Sequence, residues 1–126
     1  MAIRLDHLIL PVNDRDASVA FYTGVLGFAY DGERPPFATI RVSPDLLLQL
    51  APFGTTGRMH LAFSMSPSEF AAAFERVRDA GIPYGDAFDS VGSMRGPGDE
   101  PGAHGPGKAL YLFDPNQHLI EIRHDV

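Results

Sequence analysis

The chain has 126 residues, the length of one ordinary domain, which can bury roughly two thirds of its unfolded surface without a disulfide staple. It contains no cysteine; that excludes disulfide frameworks, thiolate zinc sites and a cysteine nucleophile, and leaves any metal to His, Asp and Glu. Sixteen acidic against ten basic residues give a formal charge of -6, the wrong sign for a phosphate-binding or anionic membrane surface, so no nucleic-acid and no membrane partner is expected. Met1-Ala2-Ile3-Arg4 opens no long apolar run ahead of a small-residue cleavage site, and the expected location is cytoplasmic.

In chain order, the pattern predicts a strand from Ile3 to Pro11, a helix capped by Asn13 or Asp14, and an apolar helical stripe of Ala17, Ala20, Phe21, Gly24 and Val25. Gly27 ends that helix. Strand-like segments follow at Phe28 to Tyr30, Phe37 to Val42 and Leu46 to Ala51. A second strand-to-helix unit then begins. Arg58 to Met65 reads as a strand, and Ser66-Pro67-Ser68-Glu69 reads as a capping box with proline at the first helical position. Phe70, Ala73, Phe74 and Val77 form its buried stripe. Ile82 to Phe88, Lys108 to Phe113 and Leu119 to Arg123 complete the set of strands.

The two halves repeat one another. His7 through Leu26 lies on His60 through Asp79 without a gap at an offset of 53 residues, sharing a His-Leu start and an Ala-Phe pair. The predicted fold class is therefore α+β, two βαβββ modules in a single domain over residues 1–126, the first about 1–53 and the second about 54–126. Six glycines and three prolines between Gly92 and Gly107 predict one long irregular loop, either a lid over a binding site or a mobile surface loop.

Alternation along the strands sorts side chains by face. Met59, Leu61, Phe63 and Met65 make one apolar face of the second module's first strand, leaving His60 on the other. In the last strand Ile120 and Ile122 share one face, and Glu121 and Arg123 share the opposite one, with His60. Placing Leu8 and Leu10 toward the helix sends His7 to the cleft side, although the pattern also admits the reverse. Leu47, Gln49 and Ala51 point together. His118 and His124 lie three positions from Glu121 and should face away from it. Two imidazoles and one carboxylate converging from His7, His60 and Glu121 would form a facial set suited to iron(II), manganese, nickel or zinc. The alternative for each histidine is a hydrogen-bonded structural role.

The His-Leu strand, the phrase Phe21-Tyr22-Thr23-Gly24-Val25-Leu26-Gly27-Phe28 and the ending Leu110 to Ile122, with Asp114-Pro115-Asn116-Gln117-His118 at its centre, resemble the vicinal oxygen chelate superfamily. That superfamily contains glyoxalases, bleomycin-resistance and fosfomycin-resistance proteins and type I extradiol dioxygenases. The resemblance implies paired βαβββ modules forming a cup-shaped mixed sheet with helices outside, a divalent metal cofactor, and a homodimer with sites at or near the subunit interface. Its metal positions correspond here to His7, Gln49, His60 and Glu121.

A standard glyoxalase needs a carboxylate where this chain has Gln49, because an amide cannot accept the substrate's proton. Gln49 is expected instead to contact substrate. The resemblance thus points to a dioxygenase-like or lyase-like enzyme holding vicinal oxygens of a small organic substrate, with Tyr111 and His104 as candidate catalytic residues and Arg123 as a cation for the substrate. Two alternatives remain: a metal-independent binding protein like the bleomycin-resistance proteins, and a fosfomycin-type transferase, whose relatives carry a basic C-terminal extension where this chain stops at Val126.

Overall fold

A computed structural model describes residues 2–126. The first module consists of β1 (His7–Pro11), α1 (Arg15–Ala20), a π-helical turn (Phe21–Val25), β2 (Ala29–Arg34), β3 (Phe37–Ser43) and β4 (Leu46–Ala51). The second consists of β5 (His60–Ser64), α2 (Pro67–Asp79), β6 (Tyr84–Gly85), β7 (Gly98–Glu100), β8 (Gly107–Phe113) and β9 (Leu119–Asp125). β1 and β5 coincide at both ends under the 53-residue offset, His7 with His60 and Pro11 with Ser64.

The strands form two mixed sheets, ordered β1-β4-β3-β2 and β5-β9-β8-β6, with β7 pairing alongside β8. The paired βαβββ modules expected from the sequence are present, as two mixed sheets that do not close on one another. Among the described residues β1 pairs only with β4, and β5 only with β9, both in parallel, so each module has an unpartnered edge strand. Such edges are templates for pairing with another chain.

Alternation sends Leu10, Leu48, Leu50 and Ile40 from the first sheet, and Phe63, Leu110, Leu112, Ile120 and Ile122 from the second, into one apolar cluster with Phe21, Tyr22, Phe70 and Val77 of the helices. Phe28 meets Phe63 edge-to-face at 5.0 Å across the modules, a contact that contributes beyond simple area burial. Polar groups add a second join. Tyr22 donates to Asp114 Oδ2 at 2.7 Å, and the Asn13 amide donates to Asn116 Oδ1 at 2.7 Å. His118 accepts from the Met59 amide through Nδ1 at 3.2 Å. Its Nε2 therefore carries the proton and donates to the Pro11 carbonyl at 2.8 Å.

Two local expectations need correction. Ala17, Ala20 and Gly24 are exposed, and the buried stripe of the first helical segment runs through Ser18, Phe21, Tyr22 and Leu26. Ser18, Phe21, Tyr22 and Leu26 are themselves at helical spacing, so the period holds and only its phase differs, the polar Ser18 being buried because its hydroxyl bonds the Asp14 carbonyl and Asn116. Asp14 is the cap, accepting from the Ala17 amide. The glycine-rich stretch is not structureless: Gly98–Glu100 forms β7 on the edge of β8. α2 begins as its sequence predicts, with Ser66 and Glu69 completing the capping box and Phe70, Ala73 and Val77 buried.

Candidate functional site

β5 and β9 run in register with Ala62 opposite Glu121 and His60 opposite Leu119, which makes His60 and Glu121 diagonal neighbours on one sheet face. His60 Nε2 lies 3.1 Å from Glu121 Oε1. Tyr111 of β8 sits directly opposite Glu121 in the register, and its ring centroid is 6.2 Å from that of His60. His60, Glu121 and Tyr111 thus form one cluster on the non-core face of the second sheet. Ile120 and Ile122 of the same strand face the core and are fully buried.

Burial pushes the Glu121 carboxyl above the ordinary glutamate value, and the nearby carboxylate of Glu100 pushes it further; the Tyr111 and His60 contacts pull partly the other way. Tyr111 is pushed up to about 12, first by burial and then by the negative field of Glu121. Its phenol therefore keeps its proton at neutral pH. Two ligands of one divalent ion at about 2.1 Å, set roughly at right angles, are themselves about 3.0 Å apart. The 3.1 Å separation of His60 Nε2 and Glu121 Oε1 and their imidazole-carboxylate chemistry fit such an ion.

His7 lies elsewhere. It is exposed on β1 of the other sheet, with Nδ1 2.9 Å from Asp6 Oδ2. Among the described residues no group of three or more His, Cys, Asp or Glu side chains is placed to hold a metal. The expected convergence of His7, His60 and Glu121 does not occur within one chain, because β1 and β5 belong to separate sheets. Gln49 lies on the first sheet, between Ile9 and Thr39 in the register.

Arg123 does not offer the free cation expected from its sequence position. Its Nε donates to Glu100 Oε1 at 2.6 Å, Nη1 to Asp125 Oδ1 at 2.8 Å and Nη2 to the Gly105 carbonyl at 2.9 Å. A Cβ at Gly102 would come within 2.7 Å of its Nη2, and one at Gly107 within 2.3 Å. These glycines let the backbone wrap the guanidinium, so Arg123 and Glu100 staple the glycine-rich segment onto the sheet. His104 is exposed within that segment. Glu100 carries no signal in the sequence beyond a carboxylate between glycines and prolines, and it gains a role only where β7 pairs with β8. His118 and His124 face away from the cluster, His118 into the join between modules and His124 edge-on to Phe70 at 5.0 Å.

A model of the Glyoxalase/Bleomycin resistance protein/Dioxygenase superfamily matches residues 4–122. The chain is 28% identical to Metallothiol transferase FosB of Shouchella clausii (strain KSM-K16), over 94% of this chain and 77% of that protein. Among solved structures, Oxidase ChaP-H1 superposes with a TM-score of 0.81 at 29% identity, covering 99% of this chain and 98% of that one. Oxidase ChaP-H2 superposes with a TM-score of 0.83 at 27% identity, covering 100% and 96%.

Proposed function

The chain belongs to the Glyoxalase/Bleomycin resistance protein/Dioxygenase superfamily, and we propose that it is a metal-dependent, dioxygenase-like enzyme that binds adjacent oxygens of a small organic substrate. In this reading His60 and Glu121 of one copy and His7 of a second copy hold the metal, which is iron, manganese, nickel or zinc. The observation that carries the reading is the His60–Glu121 pair at 3.1 Å, a two-donor half-site beside an unpartnered edge strand. The exposed His7 on the other unpartnered edge, β1, supplies the matching half.

When bound, the ion supplies Lewis acidity and a common point of attachment for two substrate oxygens. The chain's own groups do the rest. Tyr111 holds its proton at the phenol oxygen and donates a hydrogen bond to substrate, because burial and Glu121 disfavour its phenolate. Gln49 contacts substrate from the first sheet without acting as a base, which separates this chain from a standard glyoxalase. The similarity to the two oxidases supports oxygen chemistry over proton shuttling.

A second reading, a thiol transferase of the fosfomycin-resistance type, is favoured by the similarity to FosB. Against it, the Arg123 donors are committed to Glu100, Asp125 and Gly105, leaving that guanidinium little charge to offer a phosphonate. A direct fosfomycin-inactivation assay separates the two.

Elemental analysis of tag-free protein tests the leading reading. The expected result is close to one divalent transition metal per chain, lost in His7→Ala and in Glu121→Ala. A Glu121→Ala protein that keeps one tightly bound metal per chain would remove the ligand assignment.

A further inference from the structure

Thr39 Oγ1 is a buried hydroxyl with no hydrogen-bond partner among the described residues, and Thr39 itself is 0% exposed. Burying a hydroxyl unpaired costs stability, and a valine of the same shape would avoid the cost. Its position gives that cost a use. Ala38 and Ile40 on either side of it point into the core, so Thr39 points to the opposite face of β3. There it pairs across strands with Gln49, which in turn pairs with Ile9. The row Ile9–Gln49–Thr39 therefore crosses the same face of the first sheet that carries His7, one row further along.

The surroundings of this row fix the chemistry it can receive. One neighbouring row begins Pro11–Ala51 and the other is His7–Leu47–Arg41. Arg41 is already engaged, with Nη2 2.8 Å and Nε 3.1 Å from Asp31 Oδ2 and Nη1 3.0 Å from the Pro44 carbonyl. What is left in the row is a hydroxyl and a carboxamide, each able to donate and to accept, beside the apolar Ile9, Leu47 and Ala51. That arrangement suits an uncharged polar group and offers no compensation for burying a charged one.

Resting on the metal-chelating reading above, we infer that Thr39 and Gln49 form a specificity subsite for an uncharged carbonyl, amide or hydroxyl on the substrate. Gln49, half-buried, makes the contact, and Thr39 is the positioning residue that anchors its carboxamide once the ligand holds it in place. Diagonal neighbours on adjacent strands are separated by roughly 7–8 Å, so this group lies about one ring's width from the oxygens held near His7. The substrate is then a bifunctional molecule, with paired oxygens at one end and a neutral polar group at the other.

Three probes of one ring system test the subsite by calorimetric titration of manganese-loaded protein. They are 3,4-dihydroxybenzamide, 3,4-dihydroxybenzoate and 4-methylcatechol. The expected result is that the amide binds about five- to tenfold more tightly than the other two, and that Thr39→Val and Gln49→Leu reduce this preference to near unity. Thr39→Val should melt at or above the wild-type temperature, because it removes an unpaired buried hydroxyl; a purely structural threonine would make the same variant melt lower. Equal binding of the three probes, or a preference that survives in both variants, overturns the subsite and leaves the chelating reading standing. No binding of any probe to the metal-loaded protein overturns the chelating reading and takes the subsite with it.

Discussion

Tyr22 of the first module donates its hydroxyl to Asp114 Oδ2 of the second at 2.7 Å, and both side chains are buried. Asp114 also accepts from the Asn116 and His118 amides, so the turn between β8 and β9 is organised around one carboxylate. Tyr22→Phe leaves that oxygen short of a donor and should cost about 1–3 kcal/mol. Urea denaturation measures this, with a lower midpoint and an unchanged slope as the expected signature.

His118 bonds Met59 with one ring nitrogen and Pro11 with the other, joining the end of β1 to the residue before His60. His118→Ala strands two backbone groups and opens a cavity, and should destabilise by about 2–4 kcal/mol. Manganese binding measured well below the melting transition should survive, since the ring faces away from Glu121. Loss of metal together with intact thermal stability would instead make His118 a ligand.

The metal-free protein should show a distinct pH dependence. Burial and Glu100 hold the Glu121 carboxyl above its ordinary value, so the folded chain binds more protons than the unfolded chain between those two values. Stability is therefore lost as pH rises through that window and regained as it falls. Glu121→Gln should flatten this part of the profile, measured as melting temperature against pH in the presence of a chelator. A slope of the same size in the variant would place its origin in another group.

The Arg123–Glu100 staple predicts the behaviour of the glycine-rich segment. Arg123→Met frees the Gly105 carbonyl and leaves Glu100 without its cation. Limited proteolysis with a broad-specificity protease should then cut between Pro101 and Pro106 many times faster than in wild type, with cleavage sites read by mass spectrometry. Unchanged cleavage would show that β7 pairing alone holds the segment.

The sequence made some of this legible because the relevant signals are local. The capping box at Ser66 and the alternation around Ile120 and Ile122 each specify a face or a boundary from adjacent residues, and the His60–Glu121 pair followed from two such faces. What was missed depends on tertiary context. The inward face of the first helix runs through Ser18 and Tyr22 rather than Ala17 and Ala20, because their bonds reach Asn116 and Asp114, near the other end of the chain. Glu100 acquires a role only when β7 pairs with β8. His7 matched the family pattern, yet nothing in its strand revealed that its sheet would stay separate from that of His60 within one chain.

A metal centre built from two copies of the chain can be restored by mixing two variants that each lack a different ligand. His7→Ala retains His60 and Glu121, while Glu121→Ala retains His7. After equal amounts are denatured together and refolded, heterodimers should contain one complete centre and one doubly defective centre. Since half of randomly assorted dimers are heterodimers, manganese binding should return to about a quarter of the wild-type stoichiometry, with neither variant binding alone. Dimers that form in the mixture and bind no manganese would contradict a centre shared between copies.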